Sequence, residues 1–200
     1  MQLPLFQLEI DEFDDETGMF LISMVDAPAM KVAAVLLAEQ EAPLVTLKAV
    51  NDHKRYLTSA VIIPDKLIFR TDARRGDYNI QFSVDQIEKI RNKFFQSTGN
   101  LRLSNKNHVE SDVVQAQLIE SWIIDDPKMD KAVALGFDLP KGTMMATYQI
   151  TDEQFWNEEV LTGNVTGFSL EGRFTEAEVQ LMEEKGLYEH LLDILDAIEG

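Results

Sequence analysis

The chain has 200 residues, about the length of one globular domain or of one domain with a short appendage. Its 45% hydrophobic content predicts a buried core, and the absence of cysteine excludes disulfides, thiol nucleophiles and thiolate zinc sites. A net charge of −17 argues against binding to the phosphate backbone of nucleic acids.

The distribution of apolar and basic residues predicts neither a membrane span nor a signal peptide. The chain has no uncharged apolar run of the roughly 18 residues that a transmembrane helix requires. Its first 16 residues lack a basic start and turn acidic at once, unlike a secretory leader.

The first part of the chain carries strand signals. Residues 18–26 form an apolar run rich in strand formers that ends before Pro28, and residues 38–55 predict a surface loop. Further strands are predicted at 56–64, 66–72 and 78–82.

Helical and strand patterns alternate unevenly in the second part. Ser83 and Gln86 form a capping box, and apolar residues then recur at helical spacing as far as Phe94. A second capping box, Thr151 with Gln154, predicts a short helix that runs through Val160. Strands are predicted around Leu103 and at 113–124, 143–150 and 165–174.

The last 26 residues have a different character. Thr175 and Glu178 form a third capping box, so a helical tail is predicted, divided by Gly186. Its apolar stripe either packs on the domain or docks a partner. The stripe consists of Leu187, Leu191, Leu192, Leu195 and Ile198.

These patterns predict an α+β fold with a curled or barrel-like, mostly antiparallel sheet, inserted helices and a helical C-terminal tail. Strands and helices do not alternate regularly, which argues against a doubly wound parallel sheet. The predicted organisation is a main domain over residues 1–174 and the helical tail over 175–200, packed on it.

Covalent catalysis in a chain without cysteine requires a serine, threonine, lysine or carboxylate, and a serine requires a base such as histidine. Only three histidines are present. His53 lies in a polar loop, His108 lies in the polar segment NKNHVES, and His190 borders the apolar stripe of the tail. Each has an ordinary surface or structural explanation when it is considered alone.

Ser169 lies in the segment TGFSLEG. This is not the nucleophile elbow of α/β-hydrolases, because Glu171 stands where G-x-S-x-G requires glycine and no helix follows. The local pattern alone is typical of a serine on a strand. No metal-binding motif and no glycine-rich phosphate loop occurs, so no cofactor is predicted.

An ordered series of segments resembles the phage prohead (capsid maturation) serine protease family, which shares the fold of the herpesvirus assembly proteases. The resemblance covers about residues 18–174. The segments, in order, are FLISMVDAPAM (20–30), YLTSAVIIPDKLIFR (56–70), YNIQFSVDQIEKIRNKFF (78–95), NKNHVES (105–111), LIESWIID (118–125), DEQFWNEEVLTG (152–163) and VTGFSLEG (165–172).

The resemblance implies that Ser169 is the nucleophile and that His108 is the general base. Backbone N–H groups would stabilise the oxyanion, and the Gly172–Arg173 segment is a candidate to supply them. The third catalytic residue stays open. Glu120, on the strand after the histidine segment, is preferred, while Asp112 and His190 are alternatives.

The function that the resemblance implies is a serine endopeptidase of capsid assembly. Its expected substrates are the phage scaffold protein, segments of the major capsid protein and the protease itself, inside the prohead in the host cytoplasm. Self-association is a further expectation, and neither nucleic acid nor a membrane is an expected partner. The alternatives are a non-catalytic capsid-assembly or scaffold-associated protein that keeps the protease fold, and an unrelated α+β binding module.

Overall fold

A computed structural model of the chain describes residues 3–28, 54–96 and 101–179, together with the backbone of residues 35–37. Its strands are β1 (Leu5–Glu9), β2 (Gly18–Val25), β3 (Val35–Leu37), β4 (Tyr56–Ile62), β5 (Ile68–Asp72), β6 (Gly76–Gln81), β7 (Ala116–Ile123), β8 (Met144–Ile150), β9 (Gly167–Arg173) and β10 (Thr175–Glu178). Its helices are α1 (Val84–Gln96), α2 (Lys131–Ala134) and α3 (Glu153–Phe155), and α3 continues into a π-helical turn, Trp156–Val160. Among these helices, none is long and apolar enough to cross a membrane.

The strands form three sheets. The first has the order β10-β1-β6-β5, the second is the pair β2-β9, and the third has the order β3-β4-β8-β7. Every pairing is antiparallel except the parallel pairing of β1 with β6. The predicted α+β class with mostly antiparallel sheets is therefore confirmed, whereas the described residues form no closed barrel.

The pair β2-β9 is the part of the fold that matters most for the site. Apolar side chains at alternate positions of β2 are buried, including Ile22 and Met24, which have no exposed area. Ser23, between them, is also fully buried, although it is polar. The register places Ser23 directly opposite Ser169 on β9, so the two side chains lie on the same face of the pair.

Helix α1 packs beside β2 with the face that the sequence pattern predicts. Ile87, Ile90 and Phe94 are buried in the main apolar core. The Ser83 hydroxyl accepts from Gln86 N at 3.4 Å, as expected for a cap. The Gln86 side chain instead accepts from Ile10 N at 3.1 Å, which joins the start of the helix to the segment after β1.

The end of the described chain differs from the sequence prediction. Residues 175–178 were predicted to start a helix, but they form β10, which pairs with β1 from Glu9 opposite Thr175 to Phe6 opposite Glu178. The Thr175 hydroxyl donates to Glu9 O at 3.2 Å instead of capping a helix. The helix prediction is wrong for these four residues, because the ladder with β1 outweighs the local capping pattern. The apolar stripe of the tail and His190 lie outside the described residues, as does His53.

Candidate active site

The loop that carries His108 is attached to the end of β2. Met24 N donates to Asn105 O at 2.9 Å, and Asn107 N donates back to Met24 O at 3.0 Å. The Asn107 side-chain oxygen also accepts from Asp26 N at 3.1 Å. Met24 and Asp26, both in the segment that resembles the protease family, thus anchor the residue next to His108.

The backbone of this loop turns sharply at the histidine. Asn107 and His108 both have left-handed backbone angles, with φ of 52° and 61°. Such a conformation is uncommon for residues other than glycine, and it costs of order 1–3 kcal/mol per residue unless the surroundings hold it. Here the bonds to β2 hold it, and the turn directs the imidazole of His108 toward Ser23.

Strand alternation gives β9 two different faces. Phe168 is fully buried and packs edge-on against Tyr148 of β8, with ring centroids 5.4 Å apart. Ser169 and Glu171 lie on the opposite face, because successive side chains of a strand alternate in direction. The strand is therefore fixed in the core by one face and presents its polar residues on the other.

Ser169, His108 and Glu171 line one cleft, which has a volume of about 630 Å³. The structure thus brings together the predicted nucleophile and the predicted base. Within the described residues, the Ser169 hydroxyl has no hydrogen-bond partner, and no hydrogen bond joins it to His108. Catalytic hydrogen bonds are often long before substrate binds, so this geometry is compatible with a catalytic pair.

The structure places Glu120 elsewhere. This residue lies on β7, in the sheet that does not contain Ser169. Its carboxylate forms an ion pair with Lys131 and accepts from the Thr147 hydroxyl at 3.4 Å. β7 pairs with β8 rather than folding back on the histidine loop, so Glu120 does not reach His108. Asp112 closes the loop through its backbone, with its carbonyl accepting from Lys106 N at 3.0 Å.

The carboxylate that contacts His108 belongs to Glu171. Its Oε1 lies 3.1 Å from His108 Nδ1. The same oxygen accepts from Asn105 Nδ2 at 2.8 Å and from the Ser23 hydroxyl. Ser23 and Asn105 are almost completely buried, whereas Glu171 and His108 are partly exposed at the cleft.

These contacts determine which imidazole nitrogen carries the hydrogen. An ionised carboxylate only accepts, so the short contact with Glu171 requires a hydrogen on His108 Nδ1. Ser23 Oγ lies 3.2 Å from the same nitrogen and gives its single hydrogen to Glu171, so it also acts as an acceptor toward the ring. The neutral imidazole therefore keeps its lone pair on Nε2, the atom that a general base requires.

The charge of Glu171 is stabilised by its neighbours. Partial burial raises its pKa, but hydrogen bonds from Ser23, Asn105 and His108 outweigh that effect, so the pKa lies below the ordinary carboxyl value. Glu171 is thus held as an anion beside the imidazole, which favours an imidazolium whenever His108 accepts a proton.

Three residues of this network were not selected from the sequence. Ser23 is the one polar residue in the apolar run 18–25, which signals a polar contact inside the core. Glu171 lies two residues after Ser169, the spacing that places two side chains on one face of a strand. Asn105 belongs to the histidine segment, but nothing in the sequence indicates that its side chain meets β9.

Comparison with protein families assigns the chain to a described family. A family model described as "Putative phage serine protease XkdF" matches residues 44–178, more than half of the chain. The chain belongs to this family. Its matched region contains His108, Ser169 and Glu171, whereas Ser23 and Asp26 precede it. The resemblance to phage serine proteases is therefore confirmed. No curated protein and no solved structure matches the chain.

The site is built from side chains that suit acyl transfer. A serine and an imidazole with a free Nε2 lone pair line the same cleft, and a carboxylate contacts the imidazole at Nδ1. Within the described ranges, no group of three or more metal-ligating side chains occurs.

Proposed function

We propose that this chain is a serine endopeptidase of phage prohead maturation, with Ser169 as the nucleophile, His108 as the general base and Glu171 as the residue that orients His108. The observation that carries the proposal is the contact of His108 Nδ1 with Glu171 in the cleft that Ser169 also lines. Membership of a phage serine protease family supports the same chemistry.

The mechanism follows from the tautomer of His108. Ser169 Oγ attacks a peptide carbonyl of the substrate while His108 Nε2 accepts the hydroxyl proton. The imidazolium that forms is stabilised by Glu171 through Nδ1. The proton then passes from Nε2 to the leaving amine, and a water molecule hydrolyses the acyl-enzyme by the reverse sequence of proton transfers. Backbone N–H groups that face the cleft would stabilise the oxyanion.

Ser23 is the other serine near the imidazole, and its surroundings argue against a nucleophilic role. It has no exposed area, and its hydroxyl donates to Glu171. A substrate carbonyl therefore has no access to it. We assign it to the positioning of Glu171 and His108.

The proposed substrates are the scaffold protein and segments of the major capsid protein, cut inside the prohead in the host cytoplasm, together with this chain itself. Membership of a phage serine protease family supports this proposal. Confinement to an assembling particle would also protect host proteins from cleavage.

The test compares Ser169→Ala with Ser23→Ala during co-expression with the phage scaffold and capsid proteins. We expect the wild type to generate scaffold and capsid fragments and Ser169→Ala to leave both proteins intact. Ser23→Ala should keep slower cleavage, because it retains the nucleophile. Equal cleavage by Ser169→Ala and wild type would disprove the nucleophile assignment.

A chemical probe separates the protease from its main alternative, a non-catalytic assembly protein that keeps the fold. The absence of a hydrogen bond between Ser169 and His108 is the observation that favours this alternative. A fluorophosphonate reacts with an activated serine, and mass spectrometry identifies the modified residue. Labelling of Ser169 in the wild type, and its loss in His108→Ala, is expected of the protease. A chain that assembles into proheads without being labelled there would be an assembly protein.

A further inference from the structure

The cleft next to Ser169 has an apolar wall that belongs to the first sheet. Ile68 of β5 lies opposite Ile80 of β6, and Arg70 lies opposite Tyr78, so these four side chains share one face. All four line the cleft, as do Leu8 and Phe82. The opposite side is formed by β9 and the residues after it, from Ser169 to Phe174.

The two carboxylates in the lining of this cleft are already paired. Glu171 binds Ser23, Asn105 and His108, as described above. Glu176 forms an ion pair with Arg75, which lies outside the lining. Neither carboxylate is available to neutralise a further cation.

The two arginines in the lining have no such partner. Arg70 Nη1 donates to the carbonyl of Phe69 at 2.9 Å, and no described carboxylate lies within ion-pair distance of it. Arg173 forms neither an ion pair nor a hydrogen bond with any described side chain. Both residues are exposed. Among the described residues, neither guanidinium group of the cleft has a carboxylate partner, although the chain carries a net charge of −17.

The position of Arg173 on β9 puts its positive charge within reach of a peptide that would be cut at Ser169. Arg173 follows Ser169 by four residues on the same face of β9, about 13 Å along the strand. A peptide that lies extended in the cleft would advance by nearly the same distance in four residues. A side chain within about four residues of the cut bond can therefore reach one of the two arginines.

We propose that Arg70 and Arg173 select substrates, and that their ligand is an Asp or Glu side chain within about four residues of the cleaved bond. This inference rests on the proposed endopeptidase function. Guanidinium groups pair with carboxylates through parallel hydrogen bonds, a geometry that an amide side chain of similar shape does not reproduce. The negative charge of the rest of the molecule is screened over about 10 Å in 0.1 M salt, so the nearby arginines dominate inside the cleft.

The test uses a proteome-derived peptide library, followed by matched peptide pairs that differ by Asp/Asn or Glu/Gln near the identified cut. The wild type should cleave the acidic member about two- to fivefold faster in kcat/KM, as expected for exposed arginine–carboxylate pairs. In the double variant Arg70→Gln/Arg173→Gln this ratio should fall to about one, while cleavage of the amide peptide stays within about twofold of wild type.

Arg74→Gln is the matched control. Arg74 is an exposed arginine in the turn between β5 and β6 and does not line the cleft, so its loss removes one positive charge outside the cleft, where the double variant removes two within it. It should keep the wild-type preference for acidic peptides. An unchanged preference in the double variant, or the same loss in Arg74→Gln, would overturn the proposal.

Binding to Ser169→Ala separates this inference from the proposed function. Peptides retained by that variant from the same library are identified by mass spectrometry, and no cleavage is needed. Enrichment of Asp and Glu that disappears when Arg70 and Arg173 are also replaced supports recognition even if the wild type cleaves nothing. Cleavage by the wild type with no acidic enrichment in either assay would refute recognition and leave the protease assignment intact.

Discussion

At the scale of single residues, one carboxylate oxygen organises the site. Glu171 Oε1 accepts hydrogen bonds from the Ser23 hydroxyl, the Asn105 side-chain amide and His108 Nδ1. Two of these donors are buried and belong to parts of the chain that are packed in the core. The position of the imidazole is therefore set by the interior of the protein.

Replacing Glu171 by glutamine should strongly reduce turnover. A glutamine has nearly the same shape, but it supplies no negative charge and can present an N–H to His108, which would favour the wrong tautomer. We expect kcat to fall by about 10²- to 10⁴-fold, with a smaller change in KM. Steady-state kinetics on a peptide substrate measures both.

Glu120→Gln is the control for this prediction. It makes the same chemical change at a carboxylate paired with Lys131 in another sheet. Its kcat should stay within about twofold of wild type, since only an exposed ion pair is lost. The opposite pattern, with Glu120→Gln inactive and Glu171→Gln active, would restore Glu120 as the third catalytic residue.

The hydrogen bonds to Glu171 also predict a pH dependence of stability. Because the pKa of Glu171 is lower in the folded chain than in the unfolded chain, its contribution is complete above the ordinary carboxyl pKa of about 4.3. That contribution is lost as the pH falls through the lower folded pKa. Thermal unfolding of wild type and Glu171→Gln between pH 7 and pH 3 should therefore show a difference in Tm that shrinks on acidification. A constant difference would contradict this linkage.

The identity of this carboxylate was not predictable from sequence alone. Choosing Glu120 assumed that the strand after His108 folds back on the histidine loop, whereas β7 pairs with β8. The two-residue spacing of Ser169 and Glu171 indicates a shared face. It does not reveal which partner strand lies opposite, and that partner supplies Ser23.

At the scale of elements, the close approach of β9 to β2 depends on Gly172. A Cβ atom at this position would lie 2.3 Å from Gly18 O and 2.7 Å from an atom of the Phe174 ring. The first of these neighbours is backbone and cannot move without separating the two strands. The pair that carries Ser169 and Ser23 therefore has no space for a side chain at this point.

Gly172→Ala should destabilise the protein by about 1–3 kcal/mol, as overpacking does in well-packed regions, and should reduce cleavage further by displacing Ser169 and Glu171. Gly76→Ala provides the comparison, because its φ of 77° imposes backbone strain while no atom lies within 4 Å of the added Cβ. Denaturant unfolding measures both stabilities. If Gly172→Ala keeps full activity and wild-type stability, the close approach of β9 to β2 at this position is not required for either.

Elements with strong local patterns were predicted well, and those that depend on distant partners were not. Strands β2, β4 and β6 and helix α1 agree with the predictions to within a few residues, because alternation and helical spacing are local signals. The short strands β1 and β10 pair with each other across more than 160 residues of chain. Neither has a distinctive pattern, so the local capping motif at Thr175 was misleading.

At the scale of the whole molecule, charge predicts which polymers the protein avoids. With 35 acidic and 18 basic residues, it repels the phosphate backbone at any distance that salt does not screen. We expect no binding to a 30-base-pair DNA duplex by fluorescence anisotropy at about 0.1 M salt and micromolar protein. Micromolar or tighter binding would show that a local basic surface overcomes the net charge.

The contacts of Glu171 with Ser23 and with the histidine loop determine when, during synthesis of the chain, the site becomes complete. Ser23 and Asn105 leave the ribosome well before Glu171, which follows Ser23 by 148 residues. Until β9 has been translated and has paired with β2, the nascent chain lacks Ser169, the proposed nucleophile, and the Glu171 carboxylate that contacts His108. Under the proposed mechanism, a growing polypeptide could not cut its neighbours on the polysome before β9 has been made and has paired with β2.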